Sequence, residues 1–401
     1  MGKLRGFLLK YFLFRFFNSL LFLYPVMAIM FSANGVSDIG LSVLFSFWSA
    51  TVILFLPLVG YLGDRYSRHA IMMSGNLACA AAFIVFIVFP NFFGYLFGFL
   101  LWGYKWAVDG STGEAFLYDE LKTMGARRLY LRISSKASAI GYFALLLGSV
   151  GSFIAARFGY EFVSGITAIA MLIAASCFAI IVERQAKSHM RAPHRSHWMV
   201  LKQIRAGFSA IKNVKYLMMS VILVAAAGSL AYMDDLVPKL SMEYGIDMAY
   251  VGLVLGAISI ANMIGNFFAE AFAKIKWRAL VFGMAMIGAA FAFFPVVGKY
   301  GFLITMFLCG FVYAVTSVNI RARIQAALPS NRRARACAFI ELAGNAIQIA
   351  FYGIIALGAT MSGYKLGFAI IGLVVLAIGL ITFLHTKQPK LVQSPKSKVQ
   401  S

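Results

Sequence analysis

From Leu366 to Leu384 the chain carries no charged side chain and almost no polar one. About 20 residues at about 1.5 Å each cover the roughly 30 Å hydrocarbon core of a bilayer. Comparable apolar runs recur along the whole chain, over residues 7–31, 40–62, 70–90, 93–117, 138–157, 160–182, 216–238, 247–270, 277–297, 300–320, 335–359 and 364–385. Lipid offers no partner to backbone N–H and C=O groups, so runs of this kind must close their own hydrogen bonds as helices. The expected fold class is an all-α membrane protein with twelve transmembrane helices. Composition agrees, because residues of the AVILMFWYC set make up 61% and charged residues 12%. No soluble domain hides that much apolar surface.

A net charge of +22 would suit a nucleic-acid binder, but its placement is topological. Of the 36 Lys and Arg, only Arg157, Lys239, Lys299 and Lys365 fall in loops on one side, and only Arg15 and Lys105 within spans. The rest crowd the termini and the loops of the other side. The positive-inside rule then puts both termini in the cytoplasm of a multi-pass cytoplasmic-membrane protein. Met1–Lys10 reads as the start of an uncleaved signal anchor, since the apolar run behind it is long and no small-residue cleavage site follows. The longest loop, Glu183–Lys215, divides the chain into a six-helix unit at 1–183, a linker at 184–215, a second six-helix unit at 216–386 and a tail at 387–401. Within the linker, Trp198–Lys215 has the spacing of a short surface helix with basic residues toward lipid headgroups. His189, His194 and His197 lie there as solvated loop residues, and a metal site is not expected. Cys79, Cys177, Cys309 and Cys337 all sit in apolar runs as small core residues.

One short loop carries more chemistry than a turn needs. Gly60-Tyr61-Leu62-Gly63-Asp64-Arg65-Tyr66-Ser67-Arg68-His69 packs Asp64, Arg65 and Arg68 behind a Gly-x-Leu. It resembles the loop between helices 2 and 3 of the major facilitator superfamily, of bacterial type, with Ser67 where that family usually has Gly. Glu114-Ala115-Phe116-Leu117-Tyr118-Asp119-Glu120-Leu121, ending span 4, resembles a second segment of the same family, and Pro329–Arg335 resembles a third. The resemblance implies two six-helix halves and a gating loop in which Arg68 pairs with Asp119 or Asp64 when the protein is open outward. Asp64 is expected near the start of helix 3, where free N–H groups favour an anion. In the second half, Asn266–Glu270 followed by Lys274 is a degraded echo at the same four-residue spacing.

Charges at membrane depth are costly unless paired or wet, so each is a functional candidate. By helical rise, Arg15 stands roughly 12 Å into the membrane from the cytoplasmic side, with Lys105 at about that height and Asp109 roughly 6 Å lower. The family's helices 1, 4, 7 and 10 line the central cavity, so Arg15, Lys105 and Asp109 are expected in one wet cluster, with Asp109 the coupling carboxylate. Lys105 and Asp109, four residues apart, alternatively satisfy each other as a structural pair. Glu114 and Glu341 are further cavity candidates, Glu341 equally a partner for loop arginines. Asp234 and Asp235 end span 7 near the outer surface. They form an outer cavity site that takes up a proton, or they stand exposed to water as helix-end residues. Gly141, Gly148 and Gly151 of span 5 are explained by close helix packing.

The expected function is secondary transport by alternating access, driven by protons. No nucleotide-binding loop GxxxxGK[ST] is present. Proton-coupled efflux of a drug-like compound, metabolite or siderophore is the first form. Uptake of an anionic solute is the second, favoured by the two cations of the cavity helices. A membrane-embedded enzyme such as an acyltransferase would need a His or Asp/His pair at the membrane face. Only His69, near Asp64, offers one, and it fits the gating loop better. A lipid scramblase on the same architecture is a third class. The expected partners are a small-molecule substrate, protons and membrane lipids, with no cofactor, no metal and no nucleic acid, and the protein is expected to act as a monomer.

Overall fold

The computed structural model describes residues 2–180, 215–231, 233–326 and 330–385. The surface helix expected from Trp198 and the histidines His189, His194 and His197 lie outside the described residues, as do the side chains of Asp64, Glu114 and Glu341. Among the described residues there is no strand. Helix α1 comprises Gly2–Ser19 and Met27–Ala33, α2 is Asp38–Arg65 and α3 is Arg68–Val88. Helix α4 runs through Phe92–Val108, Asp109–Gly113 and Glu114–Thr123, α5 through Tyr130–Gly148 and Gly151–Phe158, and α6 is Tyr160–Ile180. In the second half α7 comprises Lys215–Ala231, Met233–Leu236 and Val237–Glu243, α8 is Val251–Phe268 and α9 is Trp277–Ala292. Helices α10 (Lys299–Ala326), α11 (Ser330–Met361) and α12 (Tyr364–His385) complete it. Ten of these are long and apolar enough to cross a membrane. The other two are α9, with 16 residues, and α4, whose apolar run is interrupted by Lys105 and Asp109.

Local chemistry sets several boundaries. Ser37 accepts from the Gly40 N–H at 3.1 Å and starts α2, and Asn91 does the same for α4 through Gly94 at 3.1 Å. Ser67, the departure from the family motif, is the cap of α3, accepting from the Ala70 N–H at 3.0 Å. The turn is therefore only Tyr66-Ser67. Asp64 falls in the last turn of α2 rather than at the start of α3.

Helices α1, α4, α5 and α7 are irregular. Helix α1 breaks between Ser19 and Tyr24, ahead of Pro25, which has no N–H to close a helical bond to the preceding turn. The freed Leu23 N–H is satisfied by Thr167 Oγ1 of α6 at 3.1 Å. Helix α5 fits this break closely: a Cβ on Gly148 would lie 3.0 Å from the Leu21 carbonyl oxygen, and one on Gly151 would overlap Phe22 backbone. Helix α7 breaks at Met233–Leu236, with Pro238 opening the next segment. Helix α4 carries a π segment at Asp109–Gly113.

Among the described residues, polar contacts between the halves are found on the face away from the N terminus. Ser152 Oγ donates to Ala249 O at 2.8 Å and accepts from the Gly252 N–H at 3.1 Å. Lys239 Nζ lies 3.0 Å from Ser32 Oγ and 3.5 Å from Asp38 Oδ1, which also accepts from Tyr364 OH at 2.5 Å. The Phe45 and Tyr352 rings stack with centroids 5.6 Å apart. Together these contacts seal the distal face.

Candidate functional site

Between the halves lies a cavity of about 820 Å³. It extends from Tyr11, Ser134 and Arg321, near the helix ends on the N-terminal face, up to Pro25, Asp234 and Asp235 beneath the distal seal. The conformation is thus closed distally, with its cavity reaching toward the face that carries the N terminus.

The first-half wall contains a three-membered polar cluster. Lys105 is 3% exposed and pairs with Asp109 on its own helix. Asn18 joins both, accepting from Lys105 Nζ at 2.6 Å through Oδ1 and donating to Asp109 Oδ2 at 3.3 Å through Nδ2. The second Asp109 oxygen is buried without a partner. Because the π segment begins at Asp109, the helix is wound differently there, a form that often marks functional positions. Arg15 does not complete this cluster, contrary to expectation. It sits one turn from Asn18, and a guanidinium nitrogen would be 3.4 Å from a Cβ on Gly141. An asparagine has taken the place next to the ion pair that the sequence assigned to the arginine. Along the same wall, Trp48 stands 6.5 Å from Trp102 and 5.5 Å from Trp106 between ring centroids.

The second-half wall is built differently. Asp234 and Asp235 lie in the break of α7 rather than at an exposed helix end, with Asp234 half-buried and Asp235 buried at only 5% exposed. Asp234 accepts from Tyr24 OH of α1 at 2.8 Å, so the breaks of α1 and α7 meet. Asp235 accepts from Tyr352 OH of α11 at 2.8 Å, and Gln348 donates to that hydroxyl at 3.1 Å. No Lys or Arg among the described residues pairs with either carboxylate.

On the N-terminal face Arg68 pairs with Asp119, and His69 contacts the Phe178 carbonyl. The pair joins the start of α3 to the end of α4 within one half, and it is formed while the distal face is sealed. Arg65 and Gly60 are exposed there. In the second half the echo motif forms no ion pair between Glu270 and Lys274. Asn319 instead donates to the Ala269 carbonyl at 2.9 Å, and Arg323 to those of Ala273 and Ile275 at 2.8 and 2.5 Å.

Asn18, Tyr24, Trp48 and Tyr352 escaped sequence reasoning. Asn18 had a signal, being polar within an apolar run one turn from Arg15, and Tyr24 had Pro25 behind it. Tyr352 had none.

A family model for the Major Facilitator Superfamily matches residues 7–351. A comparison with curated protein sequences returns no match. Among solved structures, a variant of the nucleoside transporter NupG superposes with TM-score 0.74 at 12% identity, covering 95% of this chain and 98% of that one. A D-xylose-proton symporter gives 0.73 at 11% identity over 97% and 98% of the two chains. A peptide transporter POT in complex with sulfate gives 0.72 at 13%, over 94% of each.

Proposed function

We propose that this chain, a transporter that belongs to the Major Facilitator Superfamily, couples movement of a small molecule to protons by alternating access. The observation that carries the reading is the pair Asp234 and Asp235. Two adjacent carboxylates at the closed end of the cavity have hydroxyl partners and no cation. One partner, Tyr24, belongs to the opposite half, so separating the halves distally removes it. A carboxylate whose surroundings change between two states takes up and releases a proton as the states exchange. Asp109, matched by Lys105 on its own helix, keeps its partner in either state and serves the cavity as a neutral pair.

The charge asymmetry of the loops supports both termini in the cytoplasm of the cytoplasmic membrane. A membrane-impermeant thiol reagent added outside should then label Asn34→Cys and leave Lys122→Cys unlabelled; the reverse pattern overturns the orientation. Efflux of a drug-like compound or metabolite and uptake of an anionic solute remain the two forms of the reading. Arg15, whose Nε has no partner in the cavity wall, favours an anionic cargo in either direction.

The coupling test needs no substrate. Spin labels at Lys136→Cys and Lys274→Cys report the N-terminal face, and labels at Ala33→Cys and Tyr250→Cys the distal face, in a background without native cysteines. Changing pH should move the two distances in opposite directions, and Asp234→Asn, which removes the carboxylate held across the halves, should hold the protein in the distribution of the acidic sample. Distances that ignore pH, or a variant that still responds as the parent does, would sink the assignment of proton coupling to this pair.

A further inference from the structure

Nearly every charge that lines the cavity has a partner. Lys105 is matched by Asp109, and Arg321 already has an interaction of its own. Arg15 is the exception. Its Nε is buried without a hydrogen-bond partner, and among the described residues no carboxylate forms an ion pair with it. Its surroundings are neutral: Ser19 and Gly141 beside it, with Ser138 and Tyr142 on the same wall of the cavity. Gly141 makes the room, since a side chain there would meet both Arg15 and Ser19. A guanidinium at membrane depth with an open donor face is costly, and a carboxylate or related oxyanion is the group its geometry fits best.

The same cavity also has an aromatic wall. Trp48, Trp102 and Trp106 line the cavity, and Trp48 Nε1 is buried with no acceptor. By helical rise, Trp48 and Trp102 each lie about 15 Å below the distal ends of their helices, near the depth of Arg15. A cavity of about 820 Å³ falls in the range that encloses drug-sized molecules, and a bare inorganic anion would leave the indoles facing water. We propose that Arg15 binds the anionic group of the cargo, and that the cargo is an organic anion with a ring-bearing apolar body laid against Trp48, Trp102 and Trp106. This rests on the transporter reading above and names its substrate class.

The probe is naphthalene-2-sulfonate, titrated calorimetrically into the purified full chain in detergent. Neutral naphthalen-2-ylmethanol, cationic naphthalen-2-ylmethylammonium and inorganic phosphate serve as comparisons. The sulfonate should bind about tenfold more tightly than the alcohol, the size expected of a hydrogen-bonded charge contact, and phosphate should not displace it. Arg15→Gln should erase that preference, leaving the alcohol unaffected, and Arg15→Lys should restore part of it. Ser138→Asp, which sets a carboxylate one turn from Gly141, should also erase it with Arg15 in place, covering the case in which Arg15→Gln does not fold. The proposal is overturned if either folded variant keeps the preference, if the ammonium binds as well as the sulfonate, or if phosphate competes at equal concentration. The spin-label response to pH is read without solute. If it persists while the anion preference fails, this inference falls and proton-coupled transport stands. If the anion preference holds while the pH response is absent, the cargo class stands and proton coupling falls.

Discussion

Asp109 on one wall of the cavity, and Asp234 with Asp235 on the other, are carboxylates at interruptions of a helix, yet they keep opposite company. Asp109 has a lysine four residues away on its own helix and an asparagine from α1, all within one half. Asp234 and Asp235 have two tyrosines, one from each half, and no cation. In the alternating-access cycle proposed above, a pair closed within one helix travels as a rigid unit, whereas Asp234, which leans on a hydroxyl from the opposite half, changes partners. Burial of a charge therefore does not mark the moving part; the origin of its partner does.

The largest effect should come from replacing both acids of the second site. Asp234→Asn with Asp235→Asn should reduce gradient-driven accumulation in proteoliposomes to background while solute exchange without a gradient continues. Accumulation at the parental level would move coupling back to Asp109. The converse substitution, Asp109→Asn, leaves Lys105 buried without a counter-charge. It should cost about 3–5 kcal/mol, seen as lower yield and a lower unfolding temperature, and Lys105→Met with Asp109→Leu should recover most of it. A well-folded Asp109→Asn that exchanges solute but cannot concentrate it would reverse the comparison.

Smaller changes sharpen it. Tyr24→Phe removes a single hydrogen bond to a charged group across the halves, worth about 1.5–3 kcal/mol. It should raise the distally open population about tenfold by the spin-label distances, whereas Asn18→Ala, within one half, should leave the distribution unmoved. Arg68→Ala should do least to stability. Both partners of that pair are 24% exposed in their side chains, so the loss is about 1 kcal/mol or less. The folded amount should stay nearly constant while the transport rate falls. An unchanged rate would make the pair a local tie between α3 and α4 and nothing more.

Much of the molecule was legible in its residues. Apolar runs and the asymmetry of Lys and Arg are properties of neighbours in sequence, and they yielded the helix order and the Lys105–Asp109 spacing; the two-residue Tyr66-Ser67 turn, with Asp64 in the last turn of α2, came only with the structure. The Arg68–Asp119 pair followed from family resemblance, though its confinement to one half did not. Three things were decided by tertiary structure alone. Asn18 rather than Arg15 sits beside the ion pair, because α5 presents Gly141 as a berth for the arginine. Asp235 is buried and Asp234 half-buried rather than exposed, because α7 continues to Glu243 and its break lies beneath the seal. The breaks of α1 and α7 meet through Tyr24 and Asp234, residues far apart in sequence. Hydropathy records how each helix meets lipid; it carries no record of which helix lies across the cavity, and that placement chose the partners of Asp234 and Asp235 and the berth of Arg15.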